Sequence, residues 1–262
     1  MTKARSTFRC RVEPLEKRLL LAATTFGNGG QPWAVPLTGT VHIEAENFNQ
    51  GGEDVGYHVV APGSPGGPYR PTDLVNIQPS ASASNGYDVE SFNPGEWLEY
   101  TVSVSKSGVY TINLRTACAT AGGTTITISS AADSSRTVAI PASGGAHTFT
   151  TTTTQLELWA GTQVIHVQAV HGGYTFDYLE VGTRSTTPQP YTSDWQPWTI
   201  ASNAISWVES ENFDRGSQGV AYNDSATTNQ GGKYRLNEAI GIEGPQATAG
   251  NTYNIGYVNN GE

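Results

Sequence analysis

Sulfur is scarce in this chain of 262 residues, which has two cysteines and one methionine. Cys10 lies in a basic leader and Cys118 in an apolar alternating run, "NLRTACAT". That placement argues against a disulfide framework and makes Cys118 a small buried residue rather than a reactive one. No run of 18 or more apolar residues occurs, so no helical membrane span is expected. Positive charge is also rare beyond the leader. Residues 1–23 hold six of the 14 basic residues (Lys3, Arg5, Arg9, Arg11, Lys17 and Arg18) against Glu13 and Glu16, and the rest of the chain carries eight basic and 21 acidic residues, a net −13. Nucleic acid and anionic membranes need a surplus of Lys and Arg, so neither is an expected partner. HExxH, GxSxG and GxxxxGK are missing, and the five histidines (His42, His58, His147, His166 and His171) show no clear metal spacing.

Abundant instead are Gly (30), Tyr (12), Trp (6) and many Thr and Ser, with no convincing apolar period of 3.6. This is a β composition. Strand-like runs recur about every ten residues between turn signals. The clearest is "EWLEYTVSVSKSGVYTINLRTAC", read as a hairpin of two alternating runs about Lys106, Ser107 and Gly108, with Trp97, Tyr100, Val102 and Val104 facing Tyr110, Ile112 and Leu114. Further runs are "TTITISS", "RTVAIP", His147 to Thr152, "TQVIHVQAV" and "YTFDYLEV". About nine to eleven strands without a helix predict an all-β fold, a sandwich of two antiparallel sheets.

The chain also repeats itself. Glu44, Glu46, Asn47, Phe48, Tyr57, Tyr69 and Arg70 recur as Glu209, Glu211, Asn212, Phe213, Tyr222, Tyr234 and Arg235, at a constant offset of 165. The offset holds to Ile77 and Ile242 and then becomes 166, so that Glu96 answers to Glu262. The expected organisation is a leader (1–23), a linker (24–40), one complete module (41–184), a Thr, Ser and Pro-rich linker (185–206) and the first part of a second, truncated copy (207–262). The second copy is too short for a core of its own, which predicts further domains in a longer protein. In the leader, a basic start precedes Leu19, Leu20, Leu21, Ala22 and Ala23, a shortened version of a secretory signal. Leu15, Glu16, Arg18, Leu20 and Leu21 resemble the LEPR-XLL motif of large exported proteins of planctomycete-type bacteria, with Lys17 in place of its proline. A secreted or cell-surface location is expected.

Glu44 and Glu46 stand two apart in "HIEAENF", read as a strand, where both would share one face and repel. Glu209 and Glu211 repeat the relation in "WVESENF". On the residues alone, a solvated acidic face and a cation site both remain open. The segments "IEAENF", "GGPYR" with "TDLVNI", "PGEWLEYTVSVSKSGVYTINLR", "LWAGTQVIHV" and "YTFDYLEV", in that order, resemble a family 6 carbohydrate-binding module over Val41 to Gly182 and, in part, Trp207 to Glu262. The resemblance implies a β-jelly-roll with a structural calcium ion, for which Glu44, Glu46 and Asp177 stand at the family's ligand positions. It implies binding of β-linked polysaccharides or oligosaccharides such as xylan, β-glucans or agarose, and attachment to glycoside hydrolases without catalysis by the module itself. Two carboxylates separated by about 6 to 7 Å of strand can converge on one calcium, which takes six to eight oxygens.

The family's loop cleft uses two aromatics, an Asn at the entrance to the last strand, and often an acid. The rings pack on pyranose faces while the polar groups bind hydroxyls. In the second copy Tyr257 takes the first aromatic position and Glu243 the acid. In the complete copy the same positions hold Ser91 and Gln78, Ala146 stands where the second aromatic belongs, and Thr175 replaces the Asn. Tyr87, Phe92 and Tyr174 are the nearest replacement rings. Phe92 also suits the core, Tyr87 a turn, and Tyr174 either an exposed or a buried setting. Tyr57 and Tyr69, with Arg70, suit holding the early loops. Three functions compete: sugar binding without catalysis, a hydrolase, and a calcium-stabilised structural or adhesive module. Glycosidase carboxylates must flank a bond from opposing sides, which two acids on one strand do not.

Overall fold

The computed structural model describes residues 24–60, 67–133, 135–244 and 253–262. The leader, with its LEPR-XLL-like residues and Cys10, lies outside the described residues. Strands β1 (Trp33–Val35), β2 (Val41–Glu44), β3 (Tyr57–His58), β4 (Ile77–Pro79), β5 (Tyr87–Val89), β6 (Trp97–Val104) and β7 (Gly108–Cys118) come first. They are followed by β8 (Thr124–Ser129), β9 (Arg136–Ile140), β10 (Thr150–Leu158), β11 (Gly161–Ala169) and β12 (Tyr174–Arg184). One sheet runs β1-β6-β11-β8-β9 with β3 on β6, and the other runs β10-β7-β12-β5-β4 with β2 on β12. Between them lies an apolar core that includes Ile43, Tyr100, Ile112, Leu114, Phe176 and Leu179. The fold is therefore the all-β sandwich expected from the strand spacing.

Alternation drives this packing. Along β6, Leu98, Tyr100, Val102 and Val104 are buried while Trp97, Glu99 and Ser103 are not. Trp97 was expected inside; it lies on the outer face between the His58 and His166 rings, at 6.1 and 4.9 Å. Leu98 has the inward parity in its place. The expected β6–β7 hairpin is also corrected, because β6 and β7 belong to different sheets. Each run finds a different partner, β6 with β11 and β7 with β10 and β12. Alternation reports which face is buried but not which neighbour pairs, so a sheet-to-sheet crossover reads like a hairpin.

Residues 24–40 are not a free linker. β1 pairs in parallel with β6, Val35 and Thr25 are buried, and the Phe26 ring lies 4.4 Å from the Arg70 guanidinium carbon. Residues 185–206 are likewise engaged. Gln189 exchanges backbone hydrogen bonds with Arg215, and Trp195 is buried with Arg136 and Arg215 over its ring.

Arg70 ties the early loops together from a buried position. Its guanidinium pairs with Asp73 at 2.6 Å and donates to the carbonyls of Glu46, Phe48 and Asn49 while lying 3.5 Å over the Phe48 ring. Tyr69 donates to Asn47 Oδ1, and Tyr57 Oη accepts from Leu74 N. In the later segment the same contacts recur at the repeat offset. Arg235 pairs with Glu238 and donates to the carbonyls of Phe213 and Asp214, Tyr234 donates to Asn212, and Tyr222 accepts from Ala239 N. A 3-10 turn at Ala45–Asn47 is matched by one at Ser210–Asn212. This later segment adds the short pair β13 (Ile242–Glu243) and β14 (Asn254–Ile255) and rests on the first through a buried Arg215–Glu157 ion pair of 2.6 Å. There Arg184 donates to Gly216 O, and Ser217 to Ser107 O.

Candidate functional site: an acidic cluster and a loop cleft

Glu44 ends β2, but Glu46 does not share a strand face with it, because the chain turns into the 3-10 helix at Ala45. The turn swings the Glu46 carboxyl inward to complete burial. Asp177 is also buried and occupies a bulge in β12, the extra residue between the pairs Phe176–Thr116 and Tyr178–Arg115. There β12 exchanges one partner, β5, for another, β2. A bulge re-aims its side chain, and this one places Asp177 beside the end of β2.

Ser84 joins the acids. Its hydroxyl lies 2.5 Å from Glu44 Oε2 and 3.2 Å from Asp177 Oδ1, and its amide donates to Asp177 Oδ1 at 3.0 Å. Asn85 donates to Glu46 Oε1, and Arg115 forms an ion pair with Asp177 Oδ2. Glu46 Oε2 is buried with no hydrogen-bond partner. Desolvation, reinforced by the charges of Glu44 and Asp177, pushes the Glu46 pKa up to about 7. An oxygen-only donor set with one orphaned, buried carboxylate oxygen fits calcium, which binds hard oxygen ligands and would offset the desolvated charge. In the later segment Glu211 is buried in its own 3-10 turn with Glu209 at its N-cap, the same local arrangement.

The loop cleft of the first segment has a volume of about 190 Å³ and is lined by residues including His58, Leu74, Asn76, Glu90, Ser91 and Phe92. Among the described residues no Tyr or Trp lines it. Phe92 (5% exposed) and Tyr174 (2%) stack on each other at 4.6 Å with planes 3° apart, so both proposed rings belong to the interior. Gly172 lets this happen, because a Cβ there would meet Phe92 O at 2.2 Å. Thr175 is buried, Gln78 donates to Asn76 Oδ1 at 2.6 Å, and half-buried Tyr87 packs 5.0 Å from the Tyr69 ring. Ser91 adopts φ 60°, and Glu96 fixes the neighbouring loop by accepting from Val60 N and Asn93 N.

The later segment is different. Tyr257 has φ 59°, the conformation of its counterpart Ser91, but it is 54% exposed. The β13–β14 ladder sets Glu243 beside it, and a hydrogen bond to that carboxylate raises the Tyr257 pKa. Gly241 lies under the ring, where an added Cβ would come within 3.0 Å of Tyr257 Cδ2. The corresponding residue of the first segment is Asn76, which holds Gln78 instead. The two sequence-predicted residues Glu243 and Tyr257 are thus adjacent, whereas Gln78, Tyr87, Phe92, Tyr174 and Thr175 present no common surface.

Sequence reasoning missed Asp88, Glu90 and His147, which the structure gathers where the loop before β10 folds over β5. Strands β6 to β9 separate His147 from the two acids along the chain, so no spacing signal could have found the group. Among the described residues Glu53, Asp54 and His58 form a second, more open group.

Residues 69–183 match the family model "Carbohydrate binding module (family 6)", and the resemblance read from the sequence holds across them. No curated protein sequence matches the chain. Among solved structures, the C-terminal family 6 module of the laminarinase LamC from Zobellia galactanivorans is similar at 23% identity, covering 55% of this chain and 99% of that one with a TM-score of 0.41. A module of lichenase 5A from Cellvibrio mixtus, solved with cellotriose, has 25% identity over 55% and 98% of the two chains and a TM-score of 0.43. A family 35 module of Abf62 from Cellvibrio japonicus has 15% identity over 56% and 94%, with a TM-score of 0.42. No helix among the described residues is long and apolar enough to cross a membrane.

Proposed function

We propose that this chain binds carbohydrate without catalysing a reaction on it, as tandem modules of a larger exported protein. The match of residues 69–183 to the family 6 carbohydrate-binding model carries this reading. Glu243 and Tyr257 then form the sugar platform, the exposed ring packing on a pyranose face and the carboxylate accepting from its hydroxyls. The contacts that recur at an offset of 165 support a second copy beginning near Trp207. A glycoside hydrolase is the companion that the resemblance implies, and the leader motif supports export. Calcium belongs to this reading as a structural ion, with Glu44, Glu46 and Asp177 holding it in the first copy and Glu209 and Glu211 in the second.

Affinity electrophoresis of the full chain through xylan, β-glucan and laminarin tests the function. Retardation by at least one polymer is expected, and Tyr257→Ala is expected to remove it. Retardation by none of a broad panel of polysaccharides would overturn sugar binding. The burial of Phe92 and Tyr174 favours a second reading for the first copy alone, a calcium-stabilised structural or adhesive module without a sugar site. Under that reading Ser91→Tyr adds retardation to a chain already carrying Tyr257→Ala. For calcium, EGTA is expected to lower the melting temperature, and Asp177→Ala to abolish the difference. An unchanged melt would count against the ion.

A further inference from the structure

Asp88 lies on the outer face of its sheet, opposite Gln78 of β4, yet is fully buried, with His147 of the loop before β10 against it. Both its carboxylate oxygens lack hydrogen-bond partners. Ser80, His147 and the Glu90 carboxyl stand close, none with a bond of ordinary geometry to either oxygen. The His147 ring sits between two acids, Nδ1 at 3.4 Å from Asp88 Oδ2 and Nε2 at 3.5 Å from Glu90 Oε1. One ligand atom from each of the three residues falls within 4.8 Å of the others. A neutral imidazole has only one N–H, so one ring nitrogen would face a carboxylate lone pair to lone pair. The arrangement calls for positive charge, from an imidazolium or a bound cation, and only a cation can also serve the other idle oxygen of the desolvated Asp88 carboxylate.

We propose that Asp88, Glu90 and His147 form a binding site for one zinc-class divalent metal ion. One imidazole nitrogen and two carboxylate oxygens form a mixed N/O donor set that suits zinc and its first-row neighbours, with water completing a tetrahedron. Calcium, an oxygen binder, has no use for the imidazole, which separates this site from the Glu44, Glu46 and Asp177 cluster. His147 comes from the loop before β10, and Glu90 lines the loop cleft. The ion would therefore fasten that loop across the sheet and fix one wall of the cleft.

Isothermal titration of the full chain, stripped with EDTA and dialysed, with zinc chloride in the presence of excess calcium tests the site. One equivalent of zinc is expected, bound at least about ten-fold more weakly by His147→Ala. His147 is half exposed on a loop, so that variant is expected to fold; Asp88→Asn, checked for native circular dichroism, should show the same loss. His58→Ala should bind zinc as the parent does. No zinc binding by the parent, or full binding by His147→Ala, would overturn the assignment, as would loss of binding in His58→Ala, which would place zinc at Glu53, Asp54 and His58.

Discussion

Burying Glu46 without a partner for Oε2 sets a pH dependence for the metal-free chain. Its folded-state pKa of about 7 lies above the unfolded value near 4.5, so the folded state holds the proton more tightly. Stability from this group is full below about pH 4.5 and is lost as the pH rises through 7, a change of about 3 kcal/mol. Urea unfolding in EGTA should show the parent weakening from pH 5 to 8 and Glu46→Gln weakening less, with the raised Glu238 carboxyl still contributing in the same window. Equal slopes in the two proteins would place the desolvation elsewhere. The sequence made the acid pair visible through its repetition at Glu209 and Glu211. It did not show that the strand ends at Glu44, because Ala45 and Glu46 continue the apolar–polar alternation into the 3-10 turn. Glu243 and Tyr257 were legible only through the cleft positions that the family resemblance implies, and the β13–β14 pairing then sets them side by side. Phe92 and Tyr174 were misleading, since an aromatic in a glycine-rich loop looks the same whether its ring points out or stacks inward.

Among elements, the loops held by Arg70 depend on one side chain. Removing it leaves the Glu46, Phe48 and Asn49 carbonyls without their donor and Asp73 without its partner. Arg70→Ala should cost about 3–5 kcal/mol in chemical denaturation, the range for breaking a buried ion pair. Arg70→Lys should recover only part, because an ammonium cannot match the planar fork. At the other end of the core, Gly172→Ala forces a Cβ against Phe92 O and should lower the melting temperature by several degrees. Strand number and inward faces were readable from alternation, apart from the parity of Trp97. Pairing was not, because β6 joins β11 with β7 to β10 between them in the chain, and nothing local in Lys106, Ser107 and Gly108 distinguishes a return from a crossover.

For the whole molecule, the two repeated segments are joined by more than their connection. Arg215 reaches Glu157 across a buried interface, and Trp195 from the intervening stretch is pinned under Arg215 and Arg136. Composition alone made residues 185–206 look like a free tether, since Pro, Thr and Ser content does not reveal that a tryptophan in the middle finds two guanidinium groups. Glu157→Ala leaves Arg215 without its counter-charge, and limited proteolysis should then cut residues 185–206 several-fold faster than in the parent. An unchanged cleavage rate would mean that the ion pair does not hold the segments together.

The pairing of β2 with β12 has a mechanical consequence. Val41 lies opposite Val181 and Glu44 opposite Tyr178, so once β1 has been drawn off β6 the chain enters and leaves the sandwich side by side. Tension drawn between these two points would peel the strands apart one pair at a time, the weak direction for a sheet, rather than shear them together. The last pair to part adjoins Glu44, Glu46 and Asp177. An ion held there would act as a stop at the end of the zip, and a module anchored to a polymer under flow would owe its grip to that stop more than to the strands.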